Sequence, residues 1–164
     1  MFQSINEIEK FSFEDCQISK LEVKEKEIVL ELEALIVMPN NSQNTNYTES
    51  YAGTTTVRLR DGKILSGVKE GYQYFDANDV LLESVDDIEL SAEEIASLSK
   101  TGEGAYLYRF DKVEEEDGKY LYEMVIEMPQ EEVYDTSVAD SYRLQISFSQ
   151  AIFEWEVYLN RVQR

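Results

Sequence analysis

Thirty-four aspartates and glutamates, one cysteine and no histidine are the groups from which this chain must draw any chemistry. Without imidazole, the usual hydrolase triads and most catalytic zinc sites are excluded. Cys16 is the only thiol, so the chain can form neither an internal disulfide nor a cysteine-based zinc site. With no histidine to activate it, Cys16 reads as an inert, partly buried side chain. Glu154 and Glu156 flank Trp155, outwardly like an acid–base pair beside a sugar-stacking ring. On a strand, however, positions i and i+2 share one face about 6–7 Å apart while the intervening ring points to the other. A glycosidase needs its two carboxyls on either side of the scissile bond, so this trio does not qualify.

Asp76, Asn78 and Asp79 open like a calcium loop, but Leu81 and Asp87 stand where an EF-hand needs glycine and a bidentate glutamate. A hairpin turn explains the same residues. The seven glycines are scattered and make no phosphate-cradling loop. No catalytic residue, metal or cofactor is expected.

Two residue groups point instead to binding. Tyrosine is abundant, with eleven copies. Tyr72, Tyr74, Tyr106, Tyr108 and Tyr122 fall in strand-like segments, where they either line a ligand cavity or pack across strands. The acidic runs Glu114, Glu115, Glu116, Asp117 and Glu131, Glu132 fall at turn positions and would serve as a docking surface for a cationic partner, or simply as solvated loops. Arg58, Arg60, Arg109 and Arg143 lie on strands, where pairing with neighbouring carboxylates is their default role.

A formal charge of −19 from 34 acidic and 15 basic residues argues against nucleic acid and anionic membranes as partners, and would either attract a basic protein or serve solubility alone. The N-terminus has no apolar run of signal-peptide length, and no stretch approaches a membrane span. A reducing, cytoplasmic setting follows as the expectation from the lone cysteine. The glycosylation sequons at Asn40 and Asn46 carry no weight in that setting.

The elements that must hold these residues are read from hydrophobic period. Ser4, Ile5 and Ile8 suggest a short helical turn. From Phe11 onward the period is two. Strands are expected over 18–23, 28–37, 54–60, 63–69, 72–75, 80–85, 105–113, 120–128, 142–148 and 151–159. The Asp-Gly pairs at 61–62 and 117–118 read as tight hairpin turns, so 63–69 should return antiparallel to 54–60. The segment 39–50, dense in Asn, Ser and Thr, reads as a surface loop and the main disordered stretch. Ser91 and Glu94 form a capping-box signature for a short helix carrying Ile95 and Leu98 inward, with Gly102 as its stop.

The fold expectation is a single domain over 1–164, mainly β (α+β), an antiparallel meander forming a barrel-like or sandwich sheet with one or two short helices and no internal repeat. The leading functional expectation is a non-enzymatic cytoplasmic binding protein of inhibitor, immunity or adaptor type. A small-ligand β-barrel carrier is the first alternative, and a carboxylate-dependent hydrolase the second. Oligomeric state is left open.

Overall fold

A computed structural model describes residues 1–101, 103–129 and 140–164. Among them the strands run in chain order as β1 (Phe2–Ile5), β2 (Phe11–Ser12), β3 (Gln17–Val23), β4 (Glu27–Glu33), β5 (Ile36–Val37), β6 (Ser50–Ala52), β7 (Thr55–Arg60) and β8 (Lys63–Lys69). They continue as β9 (Tyr72–Phe75), β10 (Leu81–Val85), β11 (Ile88–Glu89), β12 (Tyr106–Glu116), β13 (Lys119–Glu127), β14 (Ser141–Phe148), β15 (Gln150–Trp155) and β16 (Tyr158–Arg161). A 3-10 turn, Ile8–Lys10, and one helix, α1 (Ala92–Thr101), complete the set. The protein is mainly β and antiparallel, as the period-two pattern requires.

The hairpin expected at Asp61-Gly62 does not form. Strands β7 and β8 are two halves of one long strand bent at that dipeptide, and both halves pair with the C-terminal ribbon instead: Gln150 opposes Arg60 and Ser147 opposes Lys63. Asp61 sits at φ +55. Gly62 is obligatory for space, since a Cβ there would lie 2.7 Å from the Leu59 carbonyl oxygen and 3.1 Å from Ile28. Strands β14 and β15 form the matching bent strand, and the Ser149 N–H donates to the Arg60 carbonyl (2.8 Å) where the two bends cross.

These bends close the sheet on itself. Strand β7 pairs with β4, β4 with β3, β12 with β13, and β13 with β14. The seam between β3 and β12 is short, held by Ile18 N–H on the Ala105 carbonyl (2.8 Å) and Leu107 N–H on the Cys16 carbonyl (3.0 Å). The ring is barrel-like in its closure, while the two bent strands give it two faces, as in a sandwich.

A repetition invisible in the residues emerges from this pairing. Each half of the chain runs edge strand, helical turn, strand, strand, long bent strand: first β1, the 3-10 turn, β3, β4 and β7–β8, then β11, α1, β12, β13 and β14–β15. Each edge strand pairs with the far arm of the other half's bent strand, β1 with β15 and β11 with β8. Side chains in equivalent places differ, so no sequence repeat marks it.

The ring is filled by side chains from alternating strand positions. Ile18, Leu30, Leu32, Val57, Leu107, Ile126, Leu144 and Phe153 are almost wholly buried, and Phe110, Tyr122 and Phe148 stack into the same core. A second, four-stranded sheet (β16-β6-β5-β2) covers one end. It exists because two expected long strands break. The stretch 28–37 is cut at Ala34, which adopts φ +57, so β5 leaves the ring. Likewise 151–159 ends at Trp155, and β16 joins β6, leaving Val157 and Leu159 exposed rather than inward.

Two further expectations are corrected. Residues 2–5 form a strand, and Ser4 is a buried hydroxyl that donates to Glu7 (2.8 Å) and accepts from Asn41 (3.2 Å), not a helix cap. The 39–50 loop is knitted by asparagines: the Asn44 amide donates to the carbonyls of Val37, Met38 and Thr48 (3.1, 3.1 and 2.9 Å), and its Oδ1 accepts from the N–H groups of Asn46 and Tyr47. A polar composition here satisfies a bend in the backbone, which side-chain counting alone mistakes for disorder.

Candidate functional site

Between β8 and β11 the chain leaves the ring as the β9–β10 hairpin, here called the arm. Its turn is as the sequence implies: Asp76 Oδ1 accepts from the N–H groups of Asn78 (2.8 Å) and Val80 (3.0 Å), and Asp79 takes φ +60. The arm's base is pinned by Arg143, which pairs with Glu70 (3.3 Å) and Asp87 (3.5 Å), and by the Gly71 N–H donating to Asp87 (2.7 Å). Beyond that base its two strands form a sheet of their own. Tyr74, Phe75, Val80, Leu81 and Leu82 are each about half exposed or more, from 48% to 61%. An isolated two-stranded hairpin is marginal in water, and exposing five large apolar side chains on one is unusual for a surface that touches nothing.

The arm's electrostatics are one-sided. Between Lys69 and Lys100 the sequence has no Lys or Arg, while Asp76, Asp79, Glu83, Asp86, Asp87 and Glu89 flank the apolar side chains. Helix α1 follows, capped as expected by reciprocal bonds between Ser91 and Glu94 (3.1 and 3.2 Å), with Leu98 buried. Its expected stop, Gly102, lies outside the described residues.

The five tyrosines proposed as cavity lining are not brought together. Tyr72 and Tyr74 are on the arm, and Tyr106 and Tyr108 stand exposed on β12. Tyr122 is buried, with its hydroxyl donating to Glu9. It helps line a hollow of about 180 Å³ with Ile8, Lys112 and Tyr120, and burial together with the Glu9 carboxylate raises its phenol well above the ordinary range. The interior of the ring is occupied by side chains, so the tyrosines serve packing and surface rather than one shared cavity.

The acidic residues are placed differently from the sequence reading. Glu114, Glu115 and Glu116 belong to β12 rather than to a turn, and only Asp117 and Gly118, at φ +50 and +75, reverse the chain. Glu115 is held by Lys112 (2.6 Å), while Glu114, Glu116 and Asp117 border a shallow hollow of about 420 Å³ with Leu65 and Tyr120. Glu131 and Glu132 lie outside the described residues.

Cys16 is buried, and burial first, then Glu33, pushes its thiol up to about 12. Glu7 is the best-connected carboxylate. Burial raises it, but hydrogen bonds from the Ser42 side chain and backbone, from Ser4 and from Lys10 outweigh that and hold it below the usual range. A general acid needs the opposite shift. Trp155 lies in the core and Glu156 beyond the end of β15, so the Glu–Trp–Glu trio shares no cleft. Among the described residues no group of three acidic, cysteine or histidine side chains is placed to hold a metal ion, and no helix is long and apolar enough to cross a membrane.

The arm is the feature that residue typing missed. Its hairpin was legible, but only the pairing shows that, among the described residues, no second layer covers it. No protein-family model, curated protein or solved structure matches this chain.

Proposed function

We propose that this is a non-enzymatic protein-binding domain, acting in the cytoplasm as its single unpaired thiol suggests, whose contact surface is the arm with the adjoining face of α1. The observation that carries the reading is an apolar hairpin projecting from the ring, within a stretch from residue 70 to 99 that holds acidic residues and no Lys or Arg. Such a surface suits a partner that offers an apolar patch bordered by lysines and arginines. Apolar burial would supply affinity, and the opposite charges would supply orientation and on-rate. The acidic end of the β12–β13 hairpin, with Glu114, Glu116 and Asp117, is a second face toward the same kind of partner. Inhibitor, immunity and adaptor roles all use this form of recognition.

The carrier alternative draws no support from the packed ring interior, and the hydrolase alternative none from Glu7, whose hydrogen bonds hold it below the usual carboxylate range. The binding reading is tested by affinity capture on immobilised protein at about 50 mM and about 500 mM salt. The wild type should retain at low salt a protein with a cation-bordered apolar patch, a second copy of this chain included, and a Tyr74→Ser/Leu82→Ser variant with an unchanged circular dichroism spectrum should lose it. Equal capture by both proteins would sink the assignment of the arm.

A further inference from the structure

Resting on the reading of the arm as a docking surface, we infer that its partner is a second copy of this chain, each arm lying in a groove on the other copy. The groove, about 670 Å³, runs along β8 between α1 and the β3–β4 turn. Its apolar lining includes Val23, Ile64, Leu65, Val68, Leu90 and Ile95, of which Val23 and Leu65 are 44% and 58% exposed. Lys24 and Lys63 line it together with Glu25 and Glu89, and the neighbouring hollow of about 690 Å³ adds Lys26, Arg58 and Arg60 with Glu27 and Asp61. Five of the chain's fifteen cations therefore stand here against four of its thirty-four carboxylates, a local excess of positive charge on a molecule of charge −19.

Two of those cations already have partners: Lys24 pairs with Glu22 (3.6 Å) and Arg58 with Glu27 (3.2 Å). Lys26, Arg60 and Lys63 make no ion pair among the described residues. The groove thus offers an apolar floor beside which cations outnumber carboxylates, to meet an apolar hairpin with Asp76, Asp79 and Glu83 beside its hydrophobic side chains.

The repetition within the fold gives a second argument. The equivalent place in the first half lies between the 3-10 turn, the β14–β15 strand and the β12–β13 ribbon. There the opening shrinks to about 180 Å³, because Ile8 fills it, Asn6 Oδ1 accepts the Ala151 N–H (2.9 Å) and Tyr122 closes on Glu9. The architecture does not require an open groove at this position. One half has closed its own, and the other has left it beside the arm.

Geometry favours a closed pair. The arm leaves directly from the end of β8, the strand that forms the groove's side. A two-fold axis alongside β8 would let both arms and both grooves engage at once, the self-complementary arrangement of most homodimers. A stable pair needs about 800 Å² from each copy, so the contact must take in both the fourteen-residue hairpin and the groove.

Sedimentation velocity and native mass spectrometry of the full chain at about 5–200 µM test the inference. The wild type should be dimeric, and Leu82→Asp, at an exposed position, should be monomeric with unchanged circular dichroism. Lys63→Glu alone and Glu83→Lys alone should each weaken the dimer by about tenfold or more. Mixing those two variants should restore it as a heterodimer, because both charge contacts then become complementary. A wild type that stays monomeric throughout, or a dimer that Leu82→Asp and Lys63→Glu leave intact, overturns the inference. A monomeric wild type that still captures a basic protein through its arm would overturn the self-pairing alone and leave the binding function standing.

Discussion

Tyr122 and Tyr158 show how single side chains tie the pieces of this ring together. The Tyr158 hydroxyl donates to the Gln43 carbonyl (2.6 Å), fastening the C-terminal strand to the asparagine loop, and Tyr122 fastens the 3-10 turn to β13 through Glu9. Burial pushes the Tyr158 phenol up to about 12, and burial with the Glu9 bond moves Tyr122 in the same direction. A phenol raised in the folded state above its unfolded value near 10 favours folding below that pH. The stability it contributes is lost as pH climbs from about 10 through 12 for Tyr158. Urea titrations from pH 8 to 12 should therefore show wild-type stability falling in that window, and the Tyr122→Phe/Tyr158→Phe variant a shallower alkaline slope. Identical slopes would mean that neither hydroxyl is held as described.

At the scale of elements, the asparagine loop shows best how local chemistry replaces regular structure. Asn44 supplies two amide protons to three carbonyls and accepts two backbone N–H groups, standing in for the ladder that β5 lacks beyond Val37. Each such bond is worth about 1 kcal/mol net, and leaving several backbone groups unsatisfied together costs more than any one of them. Asn44→Ala should therefore destabilise the protein by about 2–4 kcal/mol, read from denaturant midpoints at unchanged slope. Asn40→Ala, by contrast, should change stability by less than about 0.5 kcal/mol, since the position is exposed and its side chain makes no hydrogen bond among the described residues.

For the whole molecule the dominant electrostatic fact is a charge of −19. Most ion pairs, such as Lys20–Glu22 and Arg109–Asp111, are between exposed groups and contribute little. Their loss at high salt should be outweighed by relief of the overall repulsion. Raising sodium chloride from about 20 mM to about 300 mM should therefore raise the melting temperature by a few degrees, a gain of about 1 kcal/mol. A fall in melting temperature would show that the surface pairs outweigh the net charge.

Period-two hydrophobicity was enough to establish a mainly antiparallel β protein, and Ser91 with Glu94 was enough to place its helix. These are local signals, decided by which side chains recur within a few residues. What depended on long-range pairing was everything that gives the molecule its shape. Asp61-Gly62 carries the same φ preference whether it closes a hairpin or bends one long strand, and only the competing partner, Gln150 and Ser147 of the C-terminal ribbon, makes it a bend. The breaks at Ala34 and after Trp155, the matching halves and the arm left without a covering layer among the described residues have the same origin. An apolar alternation states that a strand has one hydrophobic face, and the distant elements packed against it determine whether that face is buried or held out for a partner.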